Sequence, residues 1–156
     1  MSGLEAAQRT VSVTRSAMRF CLARAWSPLA EVPLPDGRRA DILALRPDGG
    51  FVIIEVKSCA RDFLSDTKWP DYRAFSDELH FAVDLDFPQI LLPEEAGLLV
   101  CDGFDATPLR DAPAHPLAPA RRRALLHRFA SLAATRLAGL TDPAGLVERR
   151  AALRLD

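Results

Sequence analysis

Asp41 and the triplet Glu55-Val56-Lys57 stand out by their setting in the chain. The triplet ends the apolar run Phe51-Val52-Ile53-Ile54, of the kind that forms a central strand buried on both faces. Charge in such a place costs free energy unless it is paired. Glu55 and Lys57, two apart on a strand, share a face. A pair of that kind serves as a solvated or salt-bridged surface in many strands, and that reading stays open here. Lysine is scarce: of 20 basic residues 18 are Arg, leaving only Lys57 and Lys68. A compact ammonium and a planar guanidinium are not interchangeable, so both lysines mark places to inspect. Several carboxylates converging beside one of them would be hard oxygen ligands, suited to Mg²⁺ or Mn²⁺.

Two Pro-Asp-Gly turns decide whether those groups meet. Pro35-Asp36-Gly37 and Pro47-Asp48-Gly49 separate three extended runs at 31–34, 38–45 and 50–57. In each, Pro pre-sets the first turn position and Gly supplies the left-handed residue that ends a three-residue hairpin loop. Tandem hairpins make an antiparallel meander, and Pro33 puts the first strand at an edge. Loop length fixes register. With three-residue loops, Asp41 opposes Glu55, Arg39 opposes Lys57, and Glu31 opposes Asp41. Glu31, Asp41 and Glu55 then form a row across three strands, with Lys57 on the same face. A two-residue Asp-Gly turn would shift the register by one and part them. Two carboxylates ~5 Å apart repel by roughly 3 kcal/mol at an effective dielectric of ~20, so such a row calls for compensation. A divalent cation supplies it, and Lys57 and Arg39 supply part of it without metal.

The rest of the chain supplies the scaffold. Helical spacing over 11–26 places Val11, Met18, Leu22 and Ala25 inward and Arg15, Arg19 and Arg24 outward. Residues 62–78 read as partly helical and broken near Trp69-Pro70, with Trp69, Tyr72 and Phe75 recurring every three residues. Further strands are expected at 79–83, 97–101 and 107–110, a Pro-rich loop at 113–119, and a long amphipathic helix over 121–140. That order predicts a single α/β domain: an N-terminal helix (1–28), a sheet core with a helical insertion (29–111) and C-terminal helices (119–156). At 49% hydrophobic and 26% charged, the composition is that of a soluble globular protein. No apolar run approaches the ~18 residues of a membrane span, and the N-terminus lacks an apolar signal region. Three cysteines without a C-x-x-C spacing argue against a disulfide framework or a zinc site, which fits a cytoplasmic location. Net charge is −1, but it is unevenly spread: +3 over 1–28, −3 over 29–83, −6 over 84–111 and +5 over 112–156. Basic ends around an acidic middle could hold a polyanion; the arginines at 121–123 and 128 equally suit the solvated face of a helix.

Asp41 and Glu55-x-Lys57, placed on the second and third strands after an initial helix, resemble the PD-(D/E)XK nuclease superfamily. More narrowly, the runs ADILAL, IIEVKS, DFLSDTKWPDY, LHFAV and LLPEEAGLLVCD resemble the MmcB family of bacterial DNA repair proteins, over roughly 31–128. The segment from Asp66 to Tyr72 is the most specific part. The resemblance implies a restriction endonuclease-like core: a mixed sheet that opens with an antiparallel three-stranded meander and is flanked by helices. It implies a Mg²⁺- or Mn²⁺-dependent nuclease acting on DNA in repair, with a repair protein as a further candidate partner and no membrane. Asp41 and Glu55 would be metal ligands, with the Val56 carbonyl completing the site, and Lys57 would position or activate the attacking water. The first helix offers only the distant Glu5, so Glu31 is the candidate for its missing carboxylate. Ala40 replaces the motif's Pro. Lys68, Trp69, Tyr72, Arg73 and Arg39 are candidates to hold a phosphate and stack on a base. For Trp69 and Tyr72 the competing reading is packing between helix and sheet. A second function class is a nuclease-fold module that binds DNA or a repair partner without turnover; the weak overall basicity suits it, and the joint presence of Asp41, Glu55 and Lys57 suits the enzyme.

Overall fold

Both Pro-Asp-Gly turns close as three-residue loops in the computed structural model of the chain, which describes residues 2–152. The Arg46 N–H donates to the Gly50 carbonyl at 2.8 Å and the Gly49 N–H to the Arg46 carbonyl at 3.0 Å. In the other turn, Leu34 donates to Arg38 at 2.8 Å and Gly37 to Leu34 at 3.1 Å. Gly37 and Gly49 both sit at φ +86°, where a Cβ is strained. Each turn Asp accepts the backbone N–H two residues on: Asp36 from Arg38 at 3.0 Å, Asp48 from Gly50 at 2.9 Å. The turns are therefore fixed by their own side chains as well as by the ladder.

These hairpins join β1 (Ser27–Pro33), β2 (Arg39–Leu45) and β3 (Phe51–Val56). β4 (Glu78–Asp84), β5 (Gly97–Cys101) and β6 (Ala106–Arg110) continue one six-stranded sheet in chain order. The β1–β2, β2–β3 and β5–β6 pairs are antiparallel, and the β3–β4 and β4–β5 pairs are parallel. The opening meander is the one the turns predict, and the mixed sheet is the one the resemblance implies. β1 starts at Ser27, earlier than the apolar pattern suggests, and its Pro28 and Pro33 lie on a sheet edge. Pro108 lies on the other edge, in β6, beside a register shift at Leu98/Leu99.

Helix α1 (Gly3–Ala23) starts well before Val11 because Ser2 and Glu5 form a capping box. Ser2 N–H donates to Glu5 Oε2 at 2.6 Å and Glu5 N–H to Ser2 Oγ at 3.2 Å. It ends where Ala25 takes φ +58°, with Ala25 N–H donating to Leu22 and Trp26 N–H to Cys21. That double bond satisfies the last carbonyls. Val13, Ala17, Phe20 and Cys21 pack on one face of the sheet, against Ile42, Ala44, Val52, Ile54, Val56 and Ala82. The opposite face carries the odd-numbered residues of β2 and β3, including Asp41 and Glu55. The β3–β4 crossover, α2 (Ala60–Ser65) and a 3-10 segment (Trp69–Phe75), packs against it through Phe63 and Trp69, which meet Phe81 edge-on with centroids 5.4 and 5.5 Å apart.

The chain divides into two compact units, one ending at Ala118 and one beginning at Pro119. The second consists of α3 (Pro119–Thr141) and α4 (Pro143–Ala152). Asp142 separates them: its N–H donates to the Ala138 carbonyl at 2.8 Å, and its Oδ1 accepts the Gly145 N–H at 3.2 Å. Asp142 thus caps α4, and Pro143 fills the first helical position, where no N–H is needed. Along α3, Leu125 and Phe129 are buried while Leu137 is exposed, so the helix predicted over 121–140 is buried mainly toward its start. Among the described residues, no helix is long and apolar enough to cross a membrane.

Candidate active site

The β2–β3 ladder runs from Leu45↔Phe51 to Ile42↔Ile54 and then stops. The next opposed pair is Asp41 and Glu55, where side chains replace the missing rung. Asp41 N–H donates to Glu55 Oε1 at 3.1 Å, and Val56 N–H donates to Asp41 Oδ2 at 2.8 Å. Each carboxylate thus satisfies an amide of the neighbouring strand, which would otherwise be buried without a partner. The register anticipated from turn length brings these two acids together on one face.

Glu31 follows a different course. Its neighbours keep the expected register, Ala30↔Ile42 and Val32↔Ala40, but the Glu31–Asp41 rung is missing and Glu31 has φ +51°. Its exposed carboxylate lies 3.6 Å from Arg39 Nη2. A left-handed residue inside a strand turns its side chain out of the row, so the structure brings together two of the three carboxylates.

Lys57 continues β3 toward β4 through its N–H, which donates to the Ala82 carbonyl at 3.0 Å. Its side chain is buried, and Nζ lies 2.7 Å from Asp66 Oδ2. Asp66 follows α2, and its other oxygen accepts the Lys68 N–H at 3.1 Å. Asp62, on α2, accepts the Ser58 N–H at 3.1 Å, and its charge acts on Asp41. Asp62 and Asp66 are the site members that the sequence reading did not single out. The signal for Asp66 was a buried lysine's need for a counter-charge close by in the chain.

Packing dictates the electrostatics. Glu55 is 3% exposed, with Phe81 beside it in register on β4. Burial, followed by the Asp41 charge, pushes the Glu55 carboxyl up to about 8. Burial raises Asp41 too, opposed by the Val56 N–H and the Lys57 ammonium. The second oxygens, Asp41 Oδ1 and Glu55 Oε2, take no hydrogen bond. Yet among the described residues the sealed, partnerless side-chain atoms are Arg73 Nε, His80 Nδ1 and His115 Nε2. The two carboxylate oxygens are not among them, so neither is fully sealed.

The basic and aromatic candidates lie around this pair. Tyr72 is buried, donates its hydroxyl to the Arg39 carbonyl at 3.2 Å, and has its ionisation pushed up by burial and by Glu55, Asp41 and Asp66. Trp69 is half-buried between the Phe81 edge and the Arg73 guanidinium, 5.1 Å from its ring centroid. Arg73 also donates to the Glu95 carbonyl at 3.0 Å. Trp69 and Tyr72 therefore pack the crossover against the sheet, whereas Lys68 and Arg39 are exposed. Arg38 joins the rim by donating to the Lys68 carbonyl at 3.1 Å.

Among the described residues, no three His, Cys, Asp or Glu side chains converge as a metal-binding group. Two unengaged carboxylate oxygens, neither fully sealed, are a donor set that fits a hard cation keeping several of its waters, which is how Mg²⁺ is commonly held.

A mixed six-stranded sheet, with a long helix on one face and a carboxylate pair with a buried lysine on the other, defines an α/β protein with an acidic site on its sheet. The chain belongs to the DNA repair protein MmcB-like family, whose model matches residues 2–144. It is similar to the solved structure of the SPO1766 protein of unknown function from Silicibacter pomeroyi, with 42% identity, a TM-score of 0.84, and coverage of 88% of this chain and 94% of that one. No curated protein matches it.

Proposed function

We propose that this DNA repair-family protein is a metal-dependent nuclease of the PD-(D/E)XK type with a restriction endonuclease-like core. The observation that carries the reading is the meeting of Asp41 and Glu55 where the β2–β3 ladder ends, each leaving one oxygen open, with Lys57 on the same face. Asp41, Glu55 and the Val56 carbonyl would hold Mg²⁺ or Mn²⁺. The bound ion would lower the pKa of a water and polarise the phosphoryl oxygen. Lys57 would supply positive charge where negative charge grows on the phosphate. Glu31, turned out of the row and 3.6 Å from Arg39, takes no part in holding the ion in this reading.

The test is incubation of the full chain with branched, nicked, single-stranded and duplex DNA in Mg²⁺ or Mn²⁺. Asp41→Ala, Glu55→Ala and Lys57→Ala each remove cleavage, by at least a hundredfold. Cleavage that survives all three assigns the activity elsewhere. A second reading, a module that binds DNA without turnover, is favoured by one observation: Lys57 is tied to Asp66 in an ion pair. Tight DNA binding with no cleavage in either metal would select it.

A further inference from the structure

Charge separates along the boundary between the two compact units. Residues 1–118, which hold the carboxylate site, carry 12 bases and 18 acids, a net charge of −6. Residues 119–156 carry eight bases, all Arg, and three acids, a net charge of +5. One of those acids, Asp142, is used as the cap of α4. A net charge of −6 gives that unit no overall attraction for a phosphate backbone, while sequence-independent DNA affinity comes from neutralising phosphates with Arg and Lys. Arg123 on α3 and Arg149 and Arg150 on α4 are exposed, and a guanidinium fork suits phosphate oxygens.

We propose that the α3–α4 unit is the part that grips the DNA backbone, supplying affinity without sequence preference, while the sheet unit supplies the site. The inference rests on the protein acting on DNA, but not on turnover. The same helices expose Leu126, Leu137, Leu140 and Val147, so cationic and apolar character together would also suit an anionic lipid surface. Membership of a DNA repair family favours the nucleic acid.

The experiment measures binding of a fluorescent duplex by the full chain in EDTA, over a series of salt concentrations. The variant Arg123→Glu/Arg149→Glu/Arg150→Glu is compared with Arg15→Glu/Arg24→Glu/Arg61→Glu, three exposed arginines of the first unit. Circular dichroism and melting temperature confirm that each is folded. Reversal on α3 and α4 is expected to weaken binding at least tenfold and to flatten the salt slope by about 2 to 3, close to 0.9 per lost phosphate contact. The first-unit variant loses clearly less. Equal losses in the two variants, or an unchanged affinity and slope in the first, overturn the inference. So does arginine-dependent binding to phosphatidylglycerol vesicles by a protein whose DNA affinity ignores these arginines. If the unaltered protein binds no DNA, the reading beneath also falls; absent cleavage with binding that depends on the α3–α4 arginines removes only the nuclease.

Discussion

Glu55 is the residue whose environment most constrains the chemistry. Its carboxyl titrates near 8 when folded, against 4.5 when unfolded, so between those values the folded protein holds a proton that the unfolded chain has released. Its contribution to stability is complete below about pH 4.5 and is lost as pH climbs through 8. At about 1.4 kcal/mol per unit of pKa, that loss is of the order of a few kcal/mol, and Asp41 shifts in the same direction. The metal-free protein is therefore expected to lose urea resistance between pH 5 and 8.5, and Glu55→Gln to flatten that decline. An unchanged pH profile in the variant would show that the buried proton lies elsewhere. Lys68 and Arg39 make the complementary case, being exposed where Trp69 and Tyr72 are packed. Lys68→Ala with Arg39→Ala should weaken DNA binding several-fold and leave the melting temperature within about 1 °C. A large thermal loss would assign these residues to the scaffold instead.

At the scale of the elements, close approach between strands sets a second requirement. Gly97 opens β5 beside His80 of β4, and a Cβ there would lie 2.2 Å from the His80 Nδ1. His80 is buried, so its ring has little room to retreat. Gly97→Ala is expected to destabilise the fold by about 1–3 kcal/mol in denaturant unfolding, as overpacking does. In a Gly97→Ala/His80→Ala background the added cost of the alanine at 97 should largely vanish; full additivity would contradict the clash. The elements also show which parts of the fold the chain announces. Pro-Asp-Gly carries its loop length in its own residues, so two hairpins, their register and the Asp41–Glu55 meeting were legible. The end of α1 was not, because Ala25 adopts the left-handed position that Gly usually marks. Its start was written in Ser2 and Glu5, a signal that the apolar spacing from Val11 overshadowed. Glu31 escaped for the same reason as Ala25: nothing in a Glu signals φ +51°. Lys57's partner lay nine residues on, across a short helix whose extent only tertiary packing decides.

For the molecule as a whole, the uneven charge along the chain became intelligible only once its boundary was seen to coincide with that of the helical unit at Pro119. The two margins of the sheet have a consequence of their own. An open sheet invites another chain to add a strand to its unpaired backbone, and proline, lacking an N–H, interrupts that invitation. β1 carries Pro28 and Pro33 and β6 carries Pro108, so both borders are broken. Restoring donors with Pro28→Thr/Pro33→Thr should promote concentration-dependent association in sedimentation experiments, and a monodisperse variant would show that another feature guards the border. Neighbouring copies are thereby denied a template for fibre-like stacking. Assembly by helices and loops is left as the less obstructed route, one that keeps the β-layer intact.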